Sequence, residues 1–272
     1  MKKCLLPVVC FIVMVSFPAH AAPPPHDVRE PGVEVSHIAY REPGLMSQRG
    51  VMYGILYSHT FLSDTQAKLE AKLSTGRVKY TGSLQDENST PVTVSGIPDV
   101  MFEIRGLWGF LRPQAPFFQG PYAGLGYRYL YDDTSYKSES GYLREANYYY
   151  VPIGYEHAFL TETDAGWRAG FNVEYDWFLF GRQVSHLGDV DPGLGNITNK
   201  QHDGYGYRAS LKFRKSGESL EFTVEPYVRY WNIARSDISS ILVNTDEGLF
   251  VLRLVEPAND STELGVKFLM RY

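Results

Sequence analysis

Apolar and polar residues alternate along most of the chain, and the pattern is clearest at its C-terminal end. There, every second residue is apolar, at Leu264, Val266, Phe268, Met270 and Tyr272. The positions between them include Glu263, Lys267 and Arg271. A period of two is typical of a β-strand with one apolar and one polar face.

Nine further segments show the same alternation. In chain order they are 33–41, 51–61, 69–73, 100–108, 123–129, 149–155, 167–177, 205–213 and 220–230. No long amphipathic helix pattern competes with them. We therefore predict an all-β fold of about ten antiparallel strands, with eight strands as the alternative.

The predicted connections between these strands alternate in length. Short connections follow the even-numbered strands, at 62–66, 111–116, 161–166 and 216–219. Long connections follow most odd-numbered strands, at 80–98, 133–143, 183–204 and 234–261, whereas the first connection, 42–50, is short. Short periplasmic turns, long extracellular loops and an even strand number are typical of an outer-membrane β-barrel.

The composition of the two faces favours a membrane barrel over a soluble one. One face is rich in Tyr, Trp, Phe, Val and Leu, and the other carries charges of both signs. In hydrocarbon every backbone N–H and C=O needs an internal partner, which only a closed barrel supplies to strands. Aromatic residues near the strand ends predict an interfacial girdle: Tyr129, Tyr131, Trp167, Trp177, Tyr205, Trp231 and Tyr272.

Overall composition narrows the function classes. The chain has 272 residues and a formal net charge of -5, which disfavours a nucleic-acid-binding surface. Its mean hydropathy of -0.25 disfavours a bundle of membrane helices but is compatible with a barrel. Both cysteines, Cys4 and Cys10, lie in the first segment, so a mature chain without it has no disulfide and no thiol chemistry.

The first segment has the features of a secretory signal peptide. Lys2 and Lys3 precede an apolar run that ends at Ala19-His20-Ala21, and the run is shorter than a membrane-spanning helix. We expect a signal peptide at 1–21, a flexible periplasmic segment at 22–32 and the barrel at 33–272. The expected location is the outer membrane of a Gram-negative bacterium.

The polar face predicts a lumen filled by paired charges. Barrels of eight to ten strands have interiors that their own side chains roughly fill. Buried charges are tolerated when they are paired and hydrogen-bonded. The residues expected to form this network are Glu103, Arg105, Arg128, Glu174, Asp176, Arg208, Glu225 and Arg229.

Candidate chemistry is confined to the loop after the seventh predicted strand and the start of the eighth. Ser185, His186, Asp189 and Asp191 could form a hydrolytic set, or the two aspartates could bind Ca²⁺. His202 lies nearby in sequence. The alternative is a polar turn in which Asp191-Pro192-Gly193 reverses the chain. We favour the turn, and we expect no catalytic set, no metal site and no cofactor.

The mature chain resembles a small Gram-negative outer-membrane barrel. The stretches 40–46 and 189–194 are similar to a widespread family of such proteins, and ten strands are also the architecture of the omptin proteases. Omptins use an Asp pair that faces an Asp-x-His pair. Here the corresponding triplet is Asp189-Val190-Asp191, and His186 lies outside that spacing, so the resemblance implies the fold rather than the protease activity.

These patterns lead to a functional expectation. We expect a monomeric integral outer-membrane barrel with a structural or surface-interaction role, in contact with outer-membrane lipid and lipopolysaccharide. Phe268, Met270 and Tyr272 are expected to act as the signal that the barrel assembly machinery recognises. The alternatives are an omptin-like or lipid-modifying hydrolase, and a narrow porin-like channel.

Overall fold

The computed structural model describes residues 27–62, 65–83, 90–110, 120–138, 141–160, 163–191, 193–217, 219–245 and 248–272. The strands are β1 (Asp27–Glu42), β2 (Met46–Leu62), β3 (Thr65–Ser83), β4 (Pro91–Phe110), β5 (Gly120–Asp133), β6 (Leu143–Leu160), β7 (Trp167–Ser185), β8 (Ile197–Gln201), β9 (Gly204–Ser216), β10 (Glu221–Ile233), β11 (Ser239–Thr245), β12 (Gly248–Leu254) and β13 (Asn259–Arg271). Among these residues no helix is long and apolar enough to cross a membrane.

Ten of the strands form one closed antiparallel barrel. Its order is β1 through β7, then β9, β10 and β13, and β13 pairs with β1 to close the ring. Strand β9 pairs with residues 167–177 of β7, and the short strand β8 pairs with the next part of β7, residues 181–185. Strands β11 and β12 form a separate hairpin in the connection between β10 and β13. The predicted all-β barrel of ten strands is therefore confirmed.

Several strands extend further than their alternation predicted. The expected loop 80–98 is mostly strand, because β3 continues to Ser83 and β4 begins at Pro91. A bulge at Gly96, whose φ of 79° suits glycine, lets β4 continue across this region. The expected loop 183–204 contains β8, and the expected loop 234–261 contains the β11–β12 hairpin.

The two ends of the first strand also differ from the prediction. Strand β1 begins at Asp27, so residues 27–32 belong to the barrel rather than to a flexible segment. The first connection is a tight turn instead of the expected 42–50, with Leu45 N–H donating to Glu42 O at 2.9 Å and Gly44 at a φ of 79°. The predicted signal peptide lies outside the described residues.

The two faces of the barrel wall carry different side chains. Phe222 and Phe268 point outwards and are 50% and 48% exposed, whereas Glu225 on the inner face is 7% exposed. Met270 and Tyr272 are also exposed on the outside. Apolar residues thus cover the exterior and charged residues fill the interior, which is the reverse of a soluble barrel.

An uncharged belt surrounds the outer face. The outward positions from Val51 to Phe61 on β2, 67 to 75 on β3 and 264 to 272 on β13 carry no Asp, Glu, Lys or Arg. Segments of this length match the roughly 9–11 residues of a tilted strand that crosses hydrocarbon. Asp27, where β1 begins, and Tyr272 lie at one rim of the belt, and the β11–β12 connection lies at the other, so we assign the rim of Asp27 and Tyr272 to the periplasm.

Candidate functional site

A network of buried charges spans the centre of the lumen. Arg208 on β9 donates to Asp176 Oδ2 at 2.6 Å and to both carboxylate oxygens of Glu103, at 2.5 and 2.9 Å. Its Nε also lies 3.0 Å from Glu174 Oε1, and the Tyr150 hydroxyl donates to Glu103 at 2.8 Å. One guanidinium thus links β4, β7 and β9 through the barrel interior.

A second network joins the closing seam, formed by β1 and β13, to β3 and β10. Lys72 on β3 lies 2.8 Å from Glu34 on β1 and 2.7 Å from Glu263 on β13. Arg229 Nη1 lies 3.2 Å from Glu263 Oε1, and the Tyr227 hydroxyl donates to the same oxygen at 2.6 Å. Hydrogen bonds from neutral donors as well as ion pairs stabilise these carboxylates, although Glu34 Oε2 has no hydrogen-bond partner among the described residues.

The periplasmic half of the lumen is also filled by ion pairs. Arg105 bridges Glu70 and Glu174, with 2.5 Å between Arg105 Nη1 and Glu174 Oε1. Lys267 donates to Glu225 at 2.7 Å. Further pairs with N···O distances of 2.6 and 2.5 Å are Lys212–Glu156 and Arg214–Glu30. Two cavities of about 50 Å³ each lie among these side chains, large enough for a few water molecules but not for an open passage.

The extracellular half of the lumen contains apolar and aromatic clusters beside its charged groups. One cluster contains Ile38, Met52, Val78, Ile97 and Met101, and a second contains Ala146, Tyr148, Tyr150, Phe178, Trp231 and Ile233. Gly126 makes room for Tyr150, because a Cβ at this position would lie 2.1 Å from the tyrosine Cζ. Trp231 was expected in the interfacial girdle, but it points into the lumen because it shares the face of Arg229.

Arg128 departs from the predicted charge network. It is only 3% exposed, yet it makes no ion pair within 4.0 Å in the described part of the chain. Its guanidinium lies over the Trp231 ring, 5.6 Å from the centroid, and its Nε has no hydrogen-bond partner. The other seven residues predicted for the network lie in the lumen and form ion pairs.

The extracellular mouth is crossed by a charged bridge. Arg144 on β6 lies 2.6 Å from Glu42 on β1 and also contacts Glu256, which follows the β11–β12 hairpin. Burial raises the pKa of Glu256, and the nearby Glu42 carboxylate adds to this, whereas Arg144 opposes it. The base of the longest loop is thereby joined to both sides of the opening.

The candidate loop residues have separate partners. His186 Nε2 lies 2.7 Å from Glu145 Oε2, a carboxylate that also accepts the hydroxyl of Tyr129. Asp189 accepts the backbone N–H of Leu143 at 3.0 Å. Asp191 accepts the N–H of Gly193 at 2.8 Å, as in the predicted turn, and His202 Nε2 lies 3.0 Å from Asp237.

These contacts do not assemble the proposed hydrolytic set. Within the described residues, no hydrogen bond joins the imidazole of His186 to Asp189, Asp191 or His202. The same residues contain no group of three or more His, Cys, Asp or Glu side chains placed to hold a metal ion.

Several groups in these networks were missed by the sequence interpretation, among them Glu30, Glu34, Arg144 and Glu256. Glu30 and Glu34 lie in or beside the segment expected to be flexible, and Arg144 and Glu256 lie at predicted loop boundaries. For Glu30 and Glu34 a signal was present, because both continue the two-residue period of β1 towards the N-terminus.

The outer belt and the charged interior together decide the class of the molecule. Only a lipid environment gives the outward Phe, Val and Leu side chains an apolar solvent, and only a closed barrel satisfies its backbone there. The chain is a ten-stranded outer-membrane β-barrel.

Comparisons with known proteins give structural likenesses only. No family model and no curated protein matches the sequence. The outer membrane protease OmpT from Escherichia coli is 11% identical, with a TM-score of 0.49 over 92% of this chain and 97% of that chain. Neisserial surface protein A is 9% identical, with a TM-score of 0.34 over 89% and 95%.

A third likeness is the β domain of the Bordetella autotransporter BrkA. It is 10% identical, with a TM-score of 0.40 over 88% of this chain and 98% of that chain. Because all three TM-scores are below 0.5, these likenesses carry no argument about function. The barrel is established by this chain's own strand pairing.

Proposed function

We propose that this protein is a sealed outer-membrane barrel that acts at the cell surface through its extracellular hairpin, β11–β12. The observation that carries the proposal is the apolar face of this hairpin. Leu242, Leu249 and Val251 on that face are 71%, 70% and 58% exposed. Apolar side chains this exposed, outside the lipid belt, are typical of an interaction site.

The pairing of the hairpin explains why one face is left uncovered. Leu242 lies opposite Val251, and both side chains point to the same side of the two-stranded sheet. The opposite side carries Ile241, Val243, Phe250 and Leu252, of which Phe250 is 49% exposed and the other three are more buried. A two-stranded sheet is marginal in water on its own, so an apolar outer face favours a third element that covers it.

The free edge of β12 indicates the kind of partner. Within the described residues, β12 pairs with no strand other than β11, so the outer edge of residues 249–253 has no strand partner there. An extended protein segment that adds a strand here would satisfy the backbone N–H and C=O groups of this edge and cover the apolar face.

The filled lumen supports a role at the surface over transport. Paired charges occupy the periplasmic half, aromatic and aliphatic clusters occupy the extracellular half, and the Arg144 bridge crosses the mouth. Two cavities between the lumen charges have volumes of about 50 Å³ each. Ions crossing such an interior would have to break several buried pairs.

A peptide selection tests the hairpin. The protein in phosphatidylcholine nanodiscs is exposed to a phage library of random peptides, and phage bound by the variant L242S/L249S/V251S are discarded. We expect enriched peptides with apolar residues at every second position. The control Thr262→Ser alters an outward position on β13 and should leave binding unchanged. No enrichment that depends on the three hairpin residues would overturn the proposal.

A conductance measurement tests the sealed lumen. Wild-type protein in planar bilayers should show no stable openings, because its interior lacks a continuous water path. Frequent, long-lived openings would support the narrow-channel alternative instead. The absence of hydrolase activity also stays a prediction: purified protein should cleave neither peptide nor lipid substrates, and turnover that is lost in His186→Ala would reverse it.

A further inference from the structure

The outer wall carries two pairs of basic residues, and in each pair the two residues lie opposite each other on neighbouring strands. Arg49 on β2 lies directly opposite Lys79 on β3, and Arg77, two residues before Lys79, points to the same side. On the other part of the barrel, Arg182 on β7 lies directly opposite Lys200 on β8. All five side chains are exposed.

Neither pair has a neutralising partner within the described residues. None of the five side chains makes an ion pair within 4.0 Å, and Arg77 donates only to the backbone oxygen of Gly96, at 3.1 Å. Glu145 interacts electrostatically with Arg182 but makes no ion pair with it within 4.0 Å, and its carboxylate contacts His186 and Tyr129 instead. Like charges directly opposite each other destabilise a pair of strands unless a counter-charge lies between them.

Another outward arginine, Arg41, has a carboxylate partner and serves as a comparison. Arg41 on β1 faces Asp260 on β13, with Nε 2.9 Å from Oδ1 and Nη2 3.0 Å from Oδ2. The described part of the chain therefore supplies a carboxylate in direct contact with this outward arginine, whereas it places none within 4.0 Å of the two opposed pairs.

The position of both pairs along the barrel axis indicates which negatively charged group could neutralise them. The next outward residue on the membrane side of Arg49 is Val51, and that of Arg182 is Phe180. Both belong to the uncharged belt, which continues from there to the periplasmic rim. The two pairs thus lie at the boundary between the hydrocarbon and the headgroups of the outer leaflet.

We propose that Arg49, Arg77 and Lys79 form one binding site for the phosphate groups of an outer-leaflet lipid, and that Arg182 and Lys200 form a second. An anionic phosphate between opposed cations replaces repulsion by charge-assisted hydrogen bonds. Arginine supplies a planar fork for phosphate oxygens, and lysine supplies a mobile point charge. This proposal is independent of the hairpin and of its partner.

Native mass spectrometry with bisphosphorylated lipid A tests both sites. Wild-type protein in a neutral detergent should bind two lipid A molecules per barrel. The variants R49S/K79S and R182S/K200S should each bind one, and the fourfold variant should bind none at the same lipid concentration. A basic residue near an anionic lipid surface contributes about fivefold in affinity, so each double variant should weaken its own site roughly 25-fold.

A matched control removes the same charge from the opposite rim. Arg29 and Lys215 also point outwards, but they lie at the periplasmic end of the belt. The variant R29S/K215S should bind two lipid A molecules, as the wild type does. Retention of the heat-dependent gel shift in every variant shows that the barrel is intact.

Two results would overturn the proposal. One is a fourfold variant that binds lipid A as tightly as the wild type does. The other is equal loss of binding in R29S/K215S, which would indicate general attraction to the lipid. Displacement by inorganic phosphate at the lipid's own concentration would also count against a lipid site, because a free anion would then satisfy the pairs equally well.

Discussion

The substitution Arg208→Met tests whether the central charge network stabilises the barrel. Methionine retains an unbranched side chain of similar reach and removes the guanidinium. In the wild type this group contacts Glu103, Glu174 and Asp176, and all of these carboxylates are buried.

The expected loss of unfolding free energy depends on which hydrogen-bond donors each carboxylate retains after the substitution. Glu174 retains Arg105 at 2.5 Å and the Tyr122 hydroxyl at 2.7 Å. Glu103 retains only the Tyr150 hydroxyl among its hydrogen-bond donors. Asp176 loses Arg208 from Oδ2, and its Oδ1 already has no partner. Breaking a buried pair from one side costs about 3–5 kcal/mol, and we expect a loss of unfolding free energy in this range.

Urea unfolding in phosphatidylcholine vesicles measures this loss, with tryptophan fluorescence as the signal. The control Arg253→Met removes an exposed guanidinium on β12 that makes no ion pair within the described residues, and it should leave the unfolding midpoint unchanged. Adding Asp176→Asn to Arg208→Met should recover part of the loss, because one fewer buried charge is then uncompensated. A loss below about 1 kcal/mol, or no recovery in the double variant, would refute the reasoning.

Three further predictions concern the lumen, the mouth and the C-terminus. Trp231→Ala should lower the unfolding free energy by about 3–5 kcal/mol, because it empties an enclosed aromatic site; a near-neutral urea midpoint would contradict this. Since burial raises the pKa of Glu256 in the folded state, its contribution to stability is present below the ordinary glutamate value of 4.5 and is lost as the pH rises through the raised value. Glu256→Gln should therefore flatten the pH dependence of the urea midpoint, and an unchanged profile would argue against it. Deleting Tyr272 should reduce the fraction of heat-modifiable, membrane-inserted protein in cells, and equal insertion would remove its role as an assembly signal.

The faces of the strands were predictable from sequence, because a period of two fixes which residues share a side. Glu103, Glu225 and Arg229 lie in the lumen for this reason. The same rule should have placed Trp231 inside, two residues after Arg229. Its assignment to the girdle came from residue type and position near a strand end, and the two-residue period was the stronger signal.

The partners across the lumen could not be predicted in the same way. Arg208 and Glu103 are 105 residues apart in sequence and meet because of the tilt and stagger of the closed sheet. Alternation shows only that both point inwards, not that they share a level. Strand ends were also underestimated, because polar outward residues such as Thr81 and Thr93 above the belt resemble loop residues when their pairing is unknown.

The closing seam between β1 and β13 has a consequence for how the chain folds. Residues paired there come from opposite ends of the sequence: Arg41 and Asp260 are 219 residues apart, and Lys72 reaches Glu263 across a separation of 191. Contacts between residues so distant along the chain slow folding, since the loop entropy is lost before the contact forms. The barrel cannot close until β13 is available to pair with β1. Before that point β1 has an unpaired edge, so the nascent chain must be protected from aggregation.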